Sequence, residues 1–373
     1  MSDAQYFPGL EGVIAGETQI STIEGGLRYR GYSIEQLAEG ASFLETAYLL
    51  LHGELPSQES LADFQTILAD AAEVPEPVTD LIAQVPLHVS AMDVLRTGIS
   101  ALSHFDPQVD EDGRDAIIAK SRRLLGQIPV LIAARHRLSQ GLELVDPDPE
   151  LAFSANLLQM ITGEQPSALH ERAMEVSLIL YAEHEFNAST FTARVVTSTQ
   201  SDLHSAVTAA VGALKGPLHG GANERVMEVL EEVGDPDRAE TWVRDALKQK
   251  RRIMGFGHRV YKTGDPRAVI LADYCARLAQ EAGKTDLEQI ANTIERIVRS
   301  EKGLPPNLDW PSARLYHYLG LDVPLYTPLF VASRVVGWAA HVIEQSDNNR
   351  LIRPRSRYTG PAPREFVPLA KRG

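Results

Sequence analysis

A mostly α-helical protein of two domains, the smaller inserted in the larger, is what this sequence predicts, and three observations predict it. Apolar residues recur at helical spacing along most of the chain, in segments opened by Ser or Asp and closed by Gly or Pro. No stretch in the middle alternates strands with helices, and no repeat of fixed period is present. Beyond Gly220-Gly221 the helical segments become more charged, and core-like helix returns only past Pro324 and Pro328. A length of 373 residues exceeds what one core ordinarily organises and suits about two domains.

The first part, Phe7 to Tyr32, is rich in Gly, Thr and Ile without helical period, and is expected to be an extended arm with one or two short strands. Ser33, Ser42 and Ser57 each precede an apolar helical run and are expected N-caps, because a serine hydroxyl satisfies one of the free N–H groups of a first turn. Short helices follow from Val78 to Val85 and from Met92 to Leu102. A long one is expected from Asp112 to Arg137, kinked at Pro129. After the acidic, Pro-containing loop Asp146 to Glu150, apolar helices cover Leu151 to Thr162, Ala168 to Tyr181, Ser189 to Thr199 and Leu203 to Leu214. The charged set comprises Glu224 to Glu232, Ala239 to Lys250, Ala268 to Ala282 and Asp286 to Glu301. Phe330 to Trp338 then reads as buried helix interrupted by Arg334.

Composition narrows the function. A net charge of −14 argues against nucleic acid, whose binding needs a basic face. A small anionic substrate is compatible, provided that Arg, Lys and His build its site locally. No segment approaches the roughly 18 uninterrupted apolar residues of a membrane span. The start Met1-Ser2-Asp3-Ala4-Gln5 has neither a secretory nor a transit character, so a cytoplasmic location is expected. One cysteine, Cys275, excludes an internal disulfide and any cysteine-cluster metal site.

Four polar clusters lie where apolar helices begin or end. Glu183-His184-Glu185-Phe186-Asn187 lacks the second histidine of a zinc-protease helix, and His184 could simply be satisfied by its neighbouring carboxylates. Lys215-Gly216-Pro217-Leu218-His219-Gly220-Gly221 opens into a helix, and is either an anion site or a plain Gly-rich turn. Ile253-Met254-Gly255-Phe256-Gly257-His258-Arg259, with Arg267 beyond, places two glycines and a histidine among cations, which is either a ligand loop or a solvated basic turn. In Asn307-Leu308-Asp309-Trp310, Asp309 sits between apolar residues that would desolvate it and strengthen it as a base; the alternative is an Asx turn or helix cap before Ala313. Arg334 and Arg353 complete the set: the first requires an anion if buried, and the second is either surface or reaches a partner subunit. Together these groups suit proton abstraction beside one carbonyl and attack on another, with no metal.

These motifs, with Leu27 to Ile34, Ala47 to Pro56 and Glu183 to Arg194, resemble citrate synthases of the short bacterial and archaeal type over nearly the whole chain. The resemblance implies a two-domain, citrate-synthase-like helical fold. A large domain would be formed by residues 1–219 and 324–373, and a small domain by 220–323 would close over the substrates. It implies a homodimer in which Arg353 crosses to the neighbouring site, and no permanently bound cofactor, a CoA thioester being co-substrate. The implied reaction is the first step of the tricarboxylic acid cycle: acetyl-CoA, oxaloacetate and water give citrate and CoA. His219 would hold the thioester carbonyl, Asp309 would take a methyl proton, and His258 would polarise the ketone of oxaloacetate. His184, Arg267, Arg334 and Arg353 would bind oxaloacetate, and the backbone of Ile253, Met254, Gly255, Phe256 and Gly257 would line the CoA adenine. Arg259 and Lys262 acquire no role.

The resemblance extends to 2-methylcitrate synthases, which use propionyl-CoA through the same residues. Here Trp310-Pro311 follows the base where many relatives carry two aromatics, so the acyl preference stays open. Two readings from other classes are a catalytically silent helical dimer that binds CoA or citrate, and a metal-dependent aldolase-type lyase. The first would be marked by loss of His219, His258 or Asp309, all of which are present. The second would be marked by sensitivity to a chelator.

Overall fold

The computed structural model describes residues 6–258, 260–261 and 264–372. Arg259, Lys262 and Met1 to Gln5 lie outside them. Among the described residues are sixteen α-helices and one small antiparallel sheet. The sheet is β1 (Ser21–Thr22), β2 (Arg28–Tyr29) and β3 (Tyr32–Ser33), with Ser21 opposite Tyr29 and Arg28 opposite Ser33.

Helices α1 (Ile34–Gly40), α2 (Phe43–His52) and α3 (Gln58–Ala71) start at the three expected serine caps. Ser42 forms a full capping box with Glu45. Next come α4 (Glu76–Gln84), α5 (Ala91–Leu102), α6 (Arg114–Gln140), α7 (Phe153–Thr162) and α8 (Ala168–Tyr181). The α6 helix is continuous through Pro129, as the long helix read from Asp112 to Arg137 requires. Proline forfeits one backbone hydrogen bond but its fixed φ is helical, and α6 is held along its length by α3, α5, α7 and the last helix.

Helices α9 (Ala188–Thr197) and α10 (Leu203–Leu214) precede the charged group α11 (Ala222–Val233), α12 (Pro236–Lys248), α13 (Pro266–Glu281), α14 (Asp286–Lys302) and α15 (Asp309–Tyr318). Within that group α13 packs on α15, α12 on α14 and α11 on α15, while α13 also touches α8 and α1. At α15 the sequence offered a helix only as an alternative, through a cap before Ala313, and the helix starts at Asp309. The last helix, α16 (Tyr326–Asp347), is buried along most of its length and packs on α2, α6, α8, α9 and α10, which makes it the axis of the core. From Asn348 to Arg372 the chain is mostly exposed and carries no α-helix. Among the described residues no helix is long and apolar enough to cross a membrane.

Candidate active site

A cavity of about 500 Å3 opens between the α8–α9 turn, the Gly-rich turn before α11, the 252–258 loop, the start of α15 and one face of α16. Eleven of the twelve residues singled out from the sequence line it, the exception being Arg353. Hollows of about 700 and 730 Å3 beside Arg30 and Arg114 are larger, but neither is lined by an Asp or Glu beside two histidines.

The 253–257 backbone owes its shape to its glycines. Gly255 has φ +87°, and a Cβ there would lie 2.9 Å from the Trp310 ring and 3.0 Å from Val226. The loop is strapped to the segment before α15. Gly257 N–H donates to Pro305 O (2.8 Å), Asn307 N–H to Gly255 O (2.9 Å), and the Asn307 amide to Gly257 O (2.9 Å). Asn307 Oδ1 also accepts from Asp309 N–H (3.1 Å). The Asx contact therefore belongs to Asn307, and the Asp309 carboxylate is left for the cavity, where it accepts from Tyr181 Oη–H (3.0 Å).

Burial pushes the Asp309 carboxyl up to about 6, against the hydrogen bond of Tyr181 and the charge of Arg267, which lower it. An ordinary aspartate, near ~3.9, would be a weaker base. Tyr181 is itself placed by Ser312 Oγ (2.7 Å) and by the ring of Phe330, 4.4 Å between centroids.

Two histidines have tautomers fixed by N–H groups that can only donate. His219 Nε2 accepts from Ser189 N–H (3.3 Å) and contacts Ser189 Oγ (2.8 Å), which leaves its proton on Nδ1. Trp338 Nε1–H holds that serine from the far side at 3.1 Å. Burial, and secondly the charge of Arg334, push His219 down to about 4, so it is a neutral donor near pH 7. His258 Nδ1 accepts from the backbone N–H of Val260 (3.1 Å) and Tyr261 (3.2 Å), which places its proton on Nε2.

His184 meets the Tyr261 hydroxyl at 3.1 Å, not a carboxylate, and packs edge-on to His258 with centroids 5.3 Å apart. Burial first, then Arg267 and Arg334, hold it well below the usual histidine range. The carboxylate-satisfied histidine of this region is instead His341, whose Nε2 lies 3.0 Å from Glu183.

Two buried guanidiniums face the same space. Asp265 grips Arg267 through both oxygens, at 2.9 and 2.8 Å, and also accepts from Leu308 N–H. Arg334, only 1% exposed, donates Nε–H to Tyr181 O (2.5 Å) and leaves Nη1 buried with no protein partner. Its burial lowers it to about 10, so it stays charged at neutral pH and calls for an anion.

Chemically, the cavity offers a half-desolvated carboxylate base, two imidazole N–H donors on fixed tautomers, and two cations for a dianion. Sequence reasoning missed Tyr181, Ser189, Asp265 and Phe330. Only Asp265 left a local signal, as an Asp-Pro helix start two residues before an arginine.

The family profile described as "Citrate synthase, C-terminal domain" matches residues 9–355. Citrate synthase 2 of Bacillus subtilis is 48% identical over 366 residues, 98% of each chain. The 2-methylcitrate synthase of Shewanella oneidensis is 43% identical over 378 residues, covering both chains fully. Among solved structures, the ternary complex of carboxymethyl coenzyme A and oxaloacetate with citrate synthase from the thermophilic archaeon Thermoplasma acidophilum superposes with a TM-score of 0.93. It is 35% identical and covers 99% of this chain and 100% of its own.

Proposed function

This chain belongs to the citrate synthase family, and from that premise we propose that its cavity condenses acetyl-CoA with oxaloacetate and water to give citrate and CoA. The observation that carries this reading is one cavity holding Asp309, raised to about 6, with His219 held neutral and its proton on Nδ1.

In this reading the Nδ1–H of His219 hydrogen-bonds the thioester carbonyl of acetyl-CoA while Asp309 removes a methyl proton. The resulting enol or enolate carbon attacks the ketone carbon of oxaloacetate. His258 polarises that ketone through Nε2–H and delivers the proton that the new alkoxide needs. Water then cleaves the citryl thioester, releasing CoA. Fixed N–H donors matter because a carboxylate cannot deprotonate a methyl group unless the developing oxyanion is stabilised in place. His184, Arg267 and Arg334 bind the two carboxylates of oxaloacetate, and the strapped backbone at 253–257 lines the adenine of CoA. No permanently bound cofactor and no metal is needed, because His219 and His258 do the polarising.

Residues 220–323 are assigned to a small domain that closes on a large one, the closure bringing CoA backbone and base together. The protein is assigned as a homodimer located in the cytoplasm. Arg353 supports the dimer: it lies in an exposed arm whose Ile352 N–H is pinned to Ser198 Oγ (3.1 Å), outside its own protomer's cavity. Arg353→Ala is expected to raise the oxaloacetate KM, and mixed dimers of Arg353→Ala with Asp309→Asn are expected to regain activity. No recovery in those mixtures would place Arg353 outside the neighbouring site.

The deciding experiment is thiol release with oxaloacetate and either acetyl-CoA or propionyl-CoA. Release from acetyl-CoA at the higher kcat/KM is expected, and no release from either would end the synthase reading. One methylene in an apolar pocket typically discriminates by only ~1–3 kcal/mol, so some turnover of propionyl-CoA is expected.

Tyr181 tests the base separately. Asp309 works as a base only when ionised, so the acid limb of kcat/KM is expected near pH 6. The phenol's hydrogen bond lowers that value, so Tyr181→Phe is expected to move the limb to higher pH. A pH–rate profile with an unmoved limb would release Tyr181 from this role.

A further inference from the structure

Glu183 and His341 lie just behind the cavity wall, fully buried, and the reaction as described uses neither. Arg334, Gly337 and His341 fall on one face of α16, at spacings of three and four residues. That face packs on the α8–α9 turn. A Cβ on Gly337 would lie 2.2 Å from Ala182 O and 2.5 Å from Glu183 Oε2, so only glycine lets the Glu183 carboxylate rest against the helix.

Glu183 Oε1 accepts from Ser21 Oγ–H and from His341 Nε2–H, each at 3.0 Å, and Oε2 has no hydrogen-bond partner. The direction of the His341 bond is set from behind. Arg194 Nη1 lies 2.9 Å from His341 Nδ1, and a guanidinium can only donate, so the imidazole proton is on Nε2 and points at Glu183. Arg194 is in turn fixed by Glu344 (2.6 Å) and Gln345 (3.1 Å). Although burial raises the Glu183 carboxyl, His341, Arg334 and Ser21 together bring it below the usual carboxylate range. Conversely, Glu183 is the largest influence keeping Arg334 charged against its burial.

We propose that His341 is a positioning residue for the keto-dicarboxylate substrate: held by Arg194, it orients the Glu183 carboxylate that lies against Gly337, one turn along α16 from Arg334, as the buried countercharge of that arginine, whose unpartnered Nη1 takes a substrate carboxylate. The relay also reaches the arm bearing Arg353, because Ser198 N–H donates to Arg194 O and Ser198 Oγ holds Ile352. One chain of hydrogen bonds thus runs from the Glu183 carboxylate, through His341 and Arg194, to the root of the arm that carries Arg353.

This inference rests on the assignment of Arg334 to oxaloacetate. The test compares parent, His341→Leu and His341→Gln by steady-state thiol release, with the KM for oxaloacetate and for acetyl-CoA determined separately. His341→Leu is expected to raise the oxaloacetate KM about tenfold or more, the scale of a lost hydrogen bond to a charged group. The acetyl-CoA KM is expected to stay near the parent's. His341→Gln retains one acceptor and one donor, and is expected to recover much of the loss. An unchanged oxaloacetate KM, or a fall in kcat with both KM values unchanged, overturns the proposal. If thermal melting shows that His341→Leu is unfolded, Arg194→Lys carries the test, since one ammonium cannot serve His341, Glu344 and Gln345 together; an unchanged oxaloacetate KM there overturns it equally. Failure of the parent itself to release CoA would refute the synthase reading instead.

Discussion

Replacing Asp309 by asparagine is expected to lower kcat by roughly 10²–10⁴-fold, the usual contribution of a positioned general base, while leaving oxaloacetate affinity close to the parent's. The asparagine keeps the volume and an oxygen able to accept from Tyr181, which holds Asp309 at 3.0 Å. It loses only the ability to take a proton. The groups assigned to oxaloacetate, His184, Arg267 and Arg334, have their own supports in Tyr261, Asp265 and Tyr181 O, so none depends on the charge at 309. Steady-state thiol release gives kcat, and calorimetric titration with oxaloacetate gives the affinity. Turnover near the parent's would remove Asp309 as the base. A collapse of oxaloacetate affinity would mean that the carboxylate shapes the anion site and not the proton transfer.

His219→Ala is the second large effect, expected to cost about 10²–10³ in kcat, or ~2.7–4 kcal/mol, as for other single donors to a developing oxyanion. The mechanism makes a further demand on the same residue. Because burial and Arg334 hold His219 down to about 4, its protonation state does not change through the neutral range. Activity between pH 6 and 8 should therefore show no inflection from His219, and residual activity in His219→Ala should keep the acid limb of Asp309. Loss of that limb together with the imidazole would show that the limb belongs to His219. The two variants separate the base from the donor because each group is fixed by different neighbours, Tyr181 and Asn307 for one, Ser189 for the other.

Helix starts were legible because their determinants are local: Ser33, Ser42 and Ser57 cap the helices they precede. The start of helix α15 was not. Pro311 and the Asn307-Leu308-Asp309 triplet read as a turn, yet Pro311 is the third residue of the helix, where a missing N–H costs nothing because it would have had no intrahelical partner. The site divides in the same way. His184, His219, His258, Asp309 and Arg267 stand in motifs that the sequence displays, and the cavity gathers them. Their supports are invisible in one dimension. Tyr181 is simply the last residue of an apolar helix, and its partner Asp309 lies 128 positions away. His341 sits in an unbroken buried helix, with its carboxylate 158 positions back. Periodicity reports that such residues are inside, but which polar atom each one meets is decided by how helices far apart in sequence cross.

The strap between Gly255–Gly257 and Pro305–Asn307 limits how this protein can be altered. Three hydrogen bonds and the packing of Trp310 against Gly255 join the 253–257 wall of the cavity to the root of the Asp309 helix. A change that shifts either segment drags the other, so the wall proposed to grip the acyl carrier and the carboxylate proposed as the base cannot be altered independently. The α16 side offers no way round this: Phe330 stands outside the strap, yet its ring packs on Tyr181, the hydrogen-bond partner of Asp309, and on His219, so a change there reaches the same two groups.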